Sequence, residues 1–191
     1  MEMSDVDATN RARLISLLGS IPNGRCPEGW RLAGCFAIGG LTDIGFSKNA
    51  DLLLVLSGSG RGVIDPKTGA VVARDDASDG DWLNERLLTC EGIGPLAGEE
   101  VQLAGLSGGG LPHGSGRGES LEVVSPNWPL GDLIFCSNFG SALVERFQST
   151  CLRVASDHIR AFGFSWSGNS FVYATGSDVH VYVRLKTEVA G

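Results

Sequence analysis

No apolar run in this sequence approaches the ~20 residues that a helix needs to cross a bilayer. The first residues, Met1-Glu2-Met3-Ser4-Asp5, are acidic where a secretory leader is basic. Basic clusters are also missing: 15 Lys and Arg are scattered among 22 Asp and Glu, for a formal net charge of −7. Nucleic acid and anionic membrane are held by grouped Lys and Arg, so neither is an expected partner. The five cysteines form no CxxC pair and the three histidines lie far apart, so no metal or cofactor constellation is legible. Odd in number and widely spread, these cysteines fit reduced, mostly buried thiols, and the expected compartment is the cytoplasm.

Disorder is excluded as well, because 42% of residues are hydrophobic and only 19% charged. What the chain does have is glycine, 28 in 191 residues. Much of it falls in turn-like positions between short runs of aliphatic residues, as many-stranded proteins require. The length suits one domain, residues 1–191, without help from disulfides or metal.

One stretch occurs twice. Ile44-Gly45-Phe46-Ser47, a polar turn, an aliphatic run to Leu56 and Ser57-Gly58-Ser59 align without a gap on Phe162-Gly163-Phe164-Ser165, a polar turn, an aliphatic run to Ala174 and Thr175-Gly176-Ser177. The offset is constant, 164 − 46 = 118 and 176 − 58 = 118. Each copy reads as one strand–turn–strand unit that buries its apolar face against neighbours.

Around these copies, residues 4–18 predict a helix, capped by Ser4 or Asp5 and stopped by Gly19 and Pro22. It would cross the β structure or cover an edge strand. Strands are predicted at 32–38, 41–46, 52–57, 61–64, 70–74, 100–106, 120–125, 131–137, 159–164, 171–175 and 179–185; 77–90 reads either as a short helix capped by Ser78 or Asp79 or as an ordered excursion between sheets, and 141–148 as a short helix. Asp65-Pro66-Lys67-Thr68-Gly69 has turn chemistry, with Pro at the second position and Gly for positive φ. The expected fold class is all-β and mainly antiparallel, propeller-like or two-sheet, with a short N-terminal helix. Residues 1–22 would form helix and connector, 31–76 and 152–187 the related units, and 77–151 a central β section.

The repeated Phe-Ser, polar turn, aliphatic strand and small-residue turn resemble the inner strands of WD40-type β-propellers. Asp65-x-x-Thr68-Gly69 resembles the turn before that family's outer strand. The resemblance covers about 55 residues by its repeat lengths, and the Trp-Asp dipeptide is absent from both copies: Val63-Ile64-Asp65 and Val181-Tyr182-Val183 stand there. It implies a β scaffold that binds other proteins. Gly92 to Leu106, Gly108 to Leu111 and Trp128-Pro129 resemble stretches of bacterial proteins, a likeness that implies no activity.

Chemistry is sparse. Gly58-Ser59-Gly60-Arg61-Gly62 recurs as Gly114-Ser115-Gly116-Arg117-Gly118, and such loops form either anion-binding nests with a clamping Arg or plain hairpin turns. Gly60, Arg61, Gly116 and Arg117 are therefore anion-binding candidates, with hydrolysis as one form of that reading. Asp157-His158 reads as a buried structural network, His180 as a half-exposed strand residue, and His113 as part of a mobile loop. Asp75, Asp76, Asp79 and Asp81 lack the order of a calcium loop and read as an acidic surface. With Trp166 and Trp128 they form the expected contact face for another protein, a basic one by charge. The expected function is non-enzymatic protein binding, for instance an immunity-type inhibitor of a basic toxin; small-molecule or anion binding is the alternative. No catalytic residue and no cofactor is assigned.

Overall fold

The computed structural model describes residues 5–76 and 82–186. Helix α1 (Asp5–Gly19) is followed by β1 (Trp30–Ala37), β2 (Leu41–Phe46), β3 (Leu53–Ser57), β4 (Gly60–Asp65), β5 (Ala70–Asp75), β6 (Leu83–Asn84), β7 (Thr89–Glu91), β8 (Glu100–Gln102), β9 (Ala104–Gly105), β10 (Gly108–Gly109), β11 (Ser120–Val124), β12 (Gly131–Cys136), β13 (Cys151–Asp157), β14 (Ala161–Phe164), β15 (Ser170–Ala174) and β16 (Asp178–Arg184). The fold is all-β and antiparallel with one N-terminal helix, as the residue pattern predicts. The strands form four sheets, ordered β1-β16-β15-β14, β10-β9-β2-β3-β4-β5, β11-β12-β13 and β6-β7-β8.

The chain groups into two compact units, residues 1–27 with 116–159, and residues 28–115 with 160–191. In the second of these the repeat becomes a register. Phe46 pairs with Leu53 and Phe164 with Phe171; Leu54 pairs with Val63 and Val172 with Val181. Every one of these partners is displaced by the same 118 residues, so three strands of each copy superimpose in pairing. The fourth strand differs in origin. In the first copy β5 follows β4 in the chain, whereas in the second β1, from the N-terminal side, pairs with β16.

Strand β3 explains why these runs are uninterruptedly apolar. Leu53 and Val55 face one cluster with Ile44, Phe46, Val172 and Val181, while Leu54 and Leu56 face another with Val63, Cys90 and Val101. A strand covered on both faces has no polar alternation. Each such leucine contributes roughly 1.5–3 kcal/mol by burial. On the sheet of the second copy Tyr173, Tyr182, Phe171, Trp30 and Phe164 form a chain of ring contacts, with Phe171 and Tyr182 stacked at 4.3 Å. The predicted turn at 65–69 forms as expected: Asp65 accepts from Lys67 N–H and Thr68 Oγ1, and Gly69 takes φ +68°.

The other unit holds α1 and β11–β13 around Leu18, Ile21, Ile134, Cys136, Ala142 and Cys151. The connector after α1 lines an edge strand, a role expected of the helix itself. Gly24 N–H donates to Arg153 O and Arg153 N–H to Pro22 O, along the free side of β13. Arg153 also reaches the last turn of α1, donating to Leu18 O at 2.8 Å, where a cation meets the negative end of the helix dipole.

Three expectations are corrected. Residues 83–91 form paired strands instead of a helix, because Asn84 Oδ1 takes Leu87 N–H and Leu88 adopts φ +54°, closing a turn; its proposed caps Ser78 and Asp79 lie outside the described residues. The helix at 141–148 is replaced by a 3-10 segment, Glu145–Thr150, whose N-cap Val144 is extended and makes no side-chain cap. Strand β13 was not foreseen, and it pairs with β12, outside the second repeat copy.

Candidate functional site

In both copies the turn after the inner strand is built by a buried serine. Ser47 Oγ accepts the Asn49 and Ala50 N–H groups, and Ser165 Oγ accepts that of Ser170. Ser47 and Ser165 are each 1% exposed. The two turns bind one another. Trp166 Nε1–H donates to Phe46 O at 3.2 Å, Ser167 Oγ–H to Asp51 Oδ1 at 2.5 Å and Asn169 Nδ2–H to Asp51 Oδ2 at 3.4 Å. Trp166 is still 48% exposed.

The glycine-rich copies, identical in letters, differ in conformation. Gly58 and Ser59 are the tip of the β3–β4 hairpin, and Gly60 takes φ +115° where a Cβ would meet Asp75 O. Gly116 and Gly118 take φ +75° and +84° in an irregular loop before β11. Arg61 points inward. Its Nε and Nη2 bind Asp75 Oδ2 at 3.1 and 3.0 Å, its Nη1–H donates to Glu91 O at 2.6 Å, and it lies over the Trp82 ring. Arg61 therefore ties β4 to β5 and β7 with the donors that an anion would need.

Asp75 is thus half of an ion pair, while Asp76 is exposed and meets Arg74 at 2.6 Å. Asp79 and Asp81 lie outside the described residues. Asp75 and Asp76 sit at the β3–β4 turn end of their sheet, and Trp166 sits at the β2–β3 turn end. The length of β3, roughly 13 Å by strand rise, separates Asp75 and Asp76 from Trp166 along the sheet. Beside Arg61, Gly60, Asp75 and Asp76 opens a cleft of about 520 Å³ that also takes in Cys35 and Ile38.

Trp128 is 83% exposed, in the β11–β12 loop, and is a surface residue. Among the large hydrophobic side chains of the described residues the most exposed is one that sequence reasoning missed, Phe139, at 84%. It sits in the β12–β13 loop within the turn Ser137-Asn138-Phe139-Gly140, closed by Gly140 N–H to Ser137 O at 2.8 Å. Asn138 and Phe139 both have positive φ, +52° and +57°. Asn tolerates that region; for Phe it costs roughly 1–2 kcal/mol. Leu143 and Val144, 48% and 39% exposed, stand on the same loop.

The histidines form no acid–base pair with a nucleophile that the sequence singled out. Asp157 and His158 are exposed, and the bond between them is His158 N–H to Asp157 Oδ1, so the buried network expected there does not form. His113 stacks on Phe162 at 4.5 Å. His180 is half-buried, as expected, and lies opposite Cys35 in the β1–β16 register, with Nε2 3.5 Å from Sγ. Burial first and Asp178 second push the Cys35 thiol up, which disfavours a nucleophilic thiolate. Asp43, 2% exposed, accepts from Ser107 N–H and is a structural carboxylate. Among the described residues no three His, Cys, Asp or Glu side chains group as metal ligands, and no helix is long and apolar enough to cross a membrane.

No protein-family model matches the chain, and no curated protein matches it.

Proposed function

We propose that this chain is a non-enzymatic protein-binding module whose four sheets are blade-like repeats of one β unit. The repeat offset of 118 residues supports the second part, being three steps of about 39, close to the length of a WD40-type unit. The observation that carries the binding function is Phe139. A solvated aromatic held at φ +57° costs stability and contributes almost no burial in the chain itself. Such a cost is retained where the ring serves as an anchor for a partner, and aromatic anchors dominate interface energetics. Leu143 and Val144 extend the same loop surface. The net charge of −7 favours a basic partner, by speeding encounter more than by adding affinity. An acidic inhibitor that covers a basic enzyme is one concrete form of this function.

The test is capture from the native host by immobilised protein, at low and high salt, with wild type and Phe139→Ser side by side. A partner retained by wild type and lost by a folded Phe139→Ser supports the proposal. Failure of wild type to retain any protein at either salt removes it.

A second reading rests on the 520 Å³ cleft beside Arg61. It takes a small ligand there that displaces existing bonds, since Arg61 is engaged with Asp75 and Glu91 and the Gly58 and Ser59 N–H groups donate to Gly40 O and Ser57 Oγ. A thermal-shift screen of small anions with no response from wild type would dismiss it.

A further inference from the structure

We propose that Cys136 and Cys151 are a redox-responsive dithiol that closes to an internal disulfide at the base of the 137–150 loop, with a small-molecule disulfide such as glutathione disulfide as oxidant. This inference does not rest on the partner-binding proposal.

The two residues face each other across β12 and β13. Ser137 N–H donates to Thr150 O at 2.9 Å, one step along, which places Cys136 and Cys151 at a non-hydrogen-bonded position of the ladder. Cα atoms at such positions stand about 4.5 Å apart, within the span that a disulfide bridges. The sulfurs already touch, with Cys151 Sγ 3.2 Å from Cys136 Sγ. The other thiols supply the contrast. Cys90 is equally buried, and its thiol donates to Glu91 O; Cys35 is exposed and faces His180.

The chemistry balances with the oxidant named. One cysteine thiolate attacks a sulfur of glutathione disulfide, breaking its S–S bond and releasing one glutathione thiolate, which takes up the proton that the cysteine lost. The second cysteine then displaces the remaining glutathione thiol in the same way. Two protein thiols are oxidised by two electrons, and one small-molecule disulfide is reduced to two thiols.

Access sets the rate. Cys136 is 0% and Cys151 4% exposed, so exchange requires transient opening of the loop. That loop is pinned by Gln148, which donates to Leu17 O and Ala142 O and accepts from Ser20 Oγ. Burial also pushes both thiols up, which keeps the thiolate scarce until the loop opens. Formation is therefore slow in the native protein and faster in dilute urea. Once formed, the bond holds both ends of the segment that presents Phe139.

The experiment equilibrates the full chain with reduced and oxidised glutathione at mildly alkaline pH, with and without dilute urea. Free thiols are then alkylated in denaturant and the peptides mapped by mass. The expected result is one Cys136–Cys151 linked peptide, with Cys35 alkylated or glutathionylated and Cys26 and Cys90 alkylated. The oxidised protein should melt several degrees above the reduced one, and dithiothreitol should reverse the shift. In Cys151→Ala the linked peptide should vanish while any Cys35 adduct persists. The proposal is overturned if Cys136 and Cys151 are both alkylated in urea at a glutathione ratio that modifies Cys35, or if either bridges to a different cysteine.

Discussion

Lys48 and Trp166 hold the same place in the two copies of the repeat, and they meet: Lys48 Nζ stands 5.0 Å from the centre of the Trp166 ring. The two repeated turns thus form complementary halves, cation on one side and indole on the other. Trp166 adds its hydrogen bond to Phe46 O, and Asp51 collects Ser167 and Asn169. Lys48→Ala should cost about 0.5–1 kcal/mol and Trp166→Ala about 1–2 kcal/mol, the larger figure including the lost hydrogen bond. Urea unfolding of both single variants and the double should show a coupling of about 0.5–1 kcal/mol. Strict additivity would mean that the ring and the ammonium do not interact.

The glycines of the repeat make a sharper prediction. A Cβ on Gly45 would meet Gln102 O, and one on Gly163 would meet the Leu111 side chain and Pro112 O. These positions correspond, and in each the inner strand is approached by a neighbouring segment of the chain. Gly45→Ala and Gly163→Ala should each lower stability by about 1–3 kcal/mol or more. Gly58→Ala, with open space around it, should stay within about 0.5 kcal/mol of wild type. Thermal melts that place all three together would contradict the close approach.

That prediction marks where the sequence was readable. Letters matched across 118 residues became matched registers because each turn serine, each close-approach glycine and each two-sided apolar strand is a local requirement. The partner of β16 was not readable. Strand β1 carries no repeat signature of its own, and its pairing joins residues such as Cys35 and His180, 145 apart. Phe139 was missed for a similar reason, since its significance lies in a backbone angle and an exposure, neither of which has a letter. The identical Gly-Ser-Gly-Arg-Gly stretches mislead in the opposite sense. One is pinned by strand pairing on both sides, the other lies in a loop, and so the same letters give different backbones.

Arg61 is expected to behave as a staple. Its side chain is 11% exposed and joins Asp75, Glu91 O and the Trp82 ring. Arg61→Ala leaves a carboxylate and a carbonyl without their donor, for a loss of about 2–3 kcal/mol, discounted because Asp75 is 31% exposed. Arg61→Lys keeps the charge and loses the fork, so it should recover less than half of that by urea unfolding. A fully stable Arg61→Ala would show that the guanidinium is not holding β4, β5 and β7 together.

The buried thiols make stability fall on the alkaline side. Burial raises the Cys90, Cys136 and Cys151 thiols. Above the usual cysteine value of about 8.5 the unfolded chain releases protons that the folded chain keeps, so the unfolded state binds fewer protons and stability drops as pH rises. The stabilisation is whole below about pH 8.5 and is lost at about 1.4 kcal/mol per pH unit for each thiol still protonated in the fold. Urea unfolding in reductant between about pH 8 and 9.5, below the range of Tyr and Lys, should show that slope. Closing Cys136 to Cys151 removes two of the four thiols that the fold holds up, Cys35 and Cys90 remaining, so the slope should become shallower in the oxidised protein. A flat profile in reductant would mean that these thiols ionise as readily folded as unfolded, and that the barrier to their oxidation is not burial.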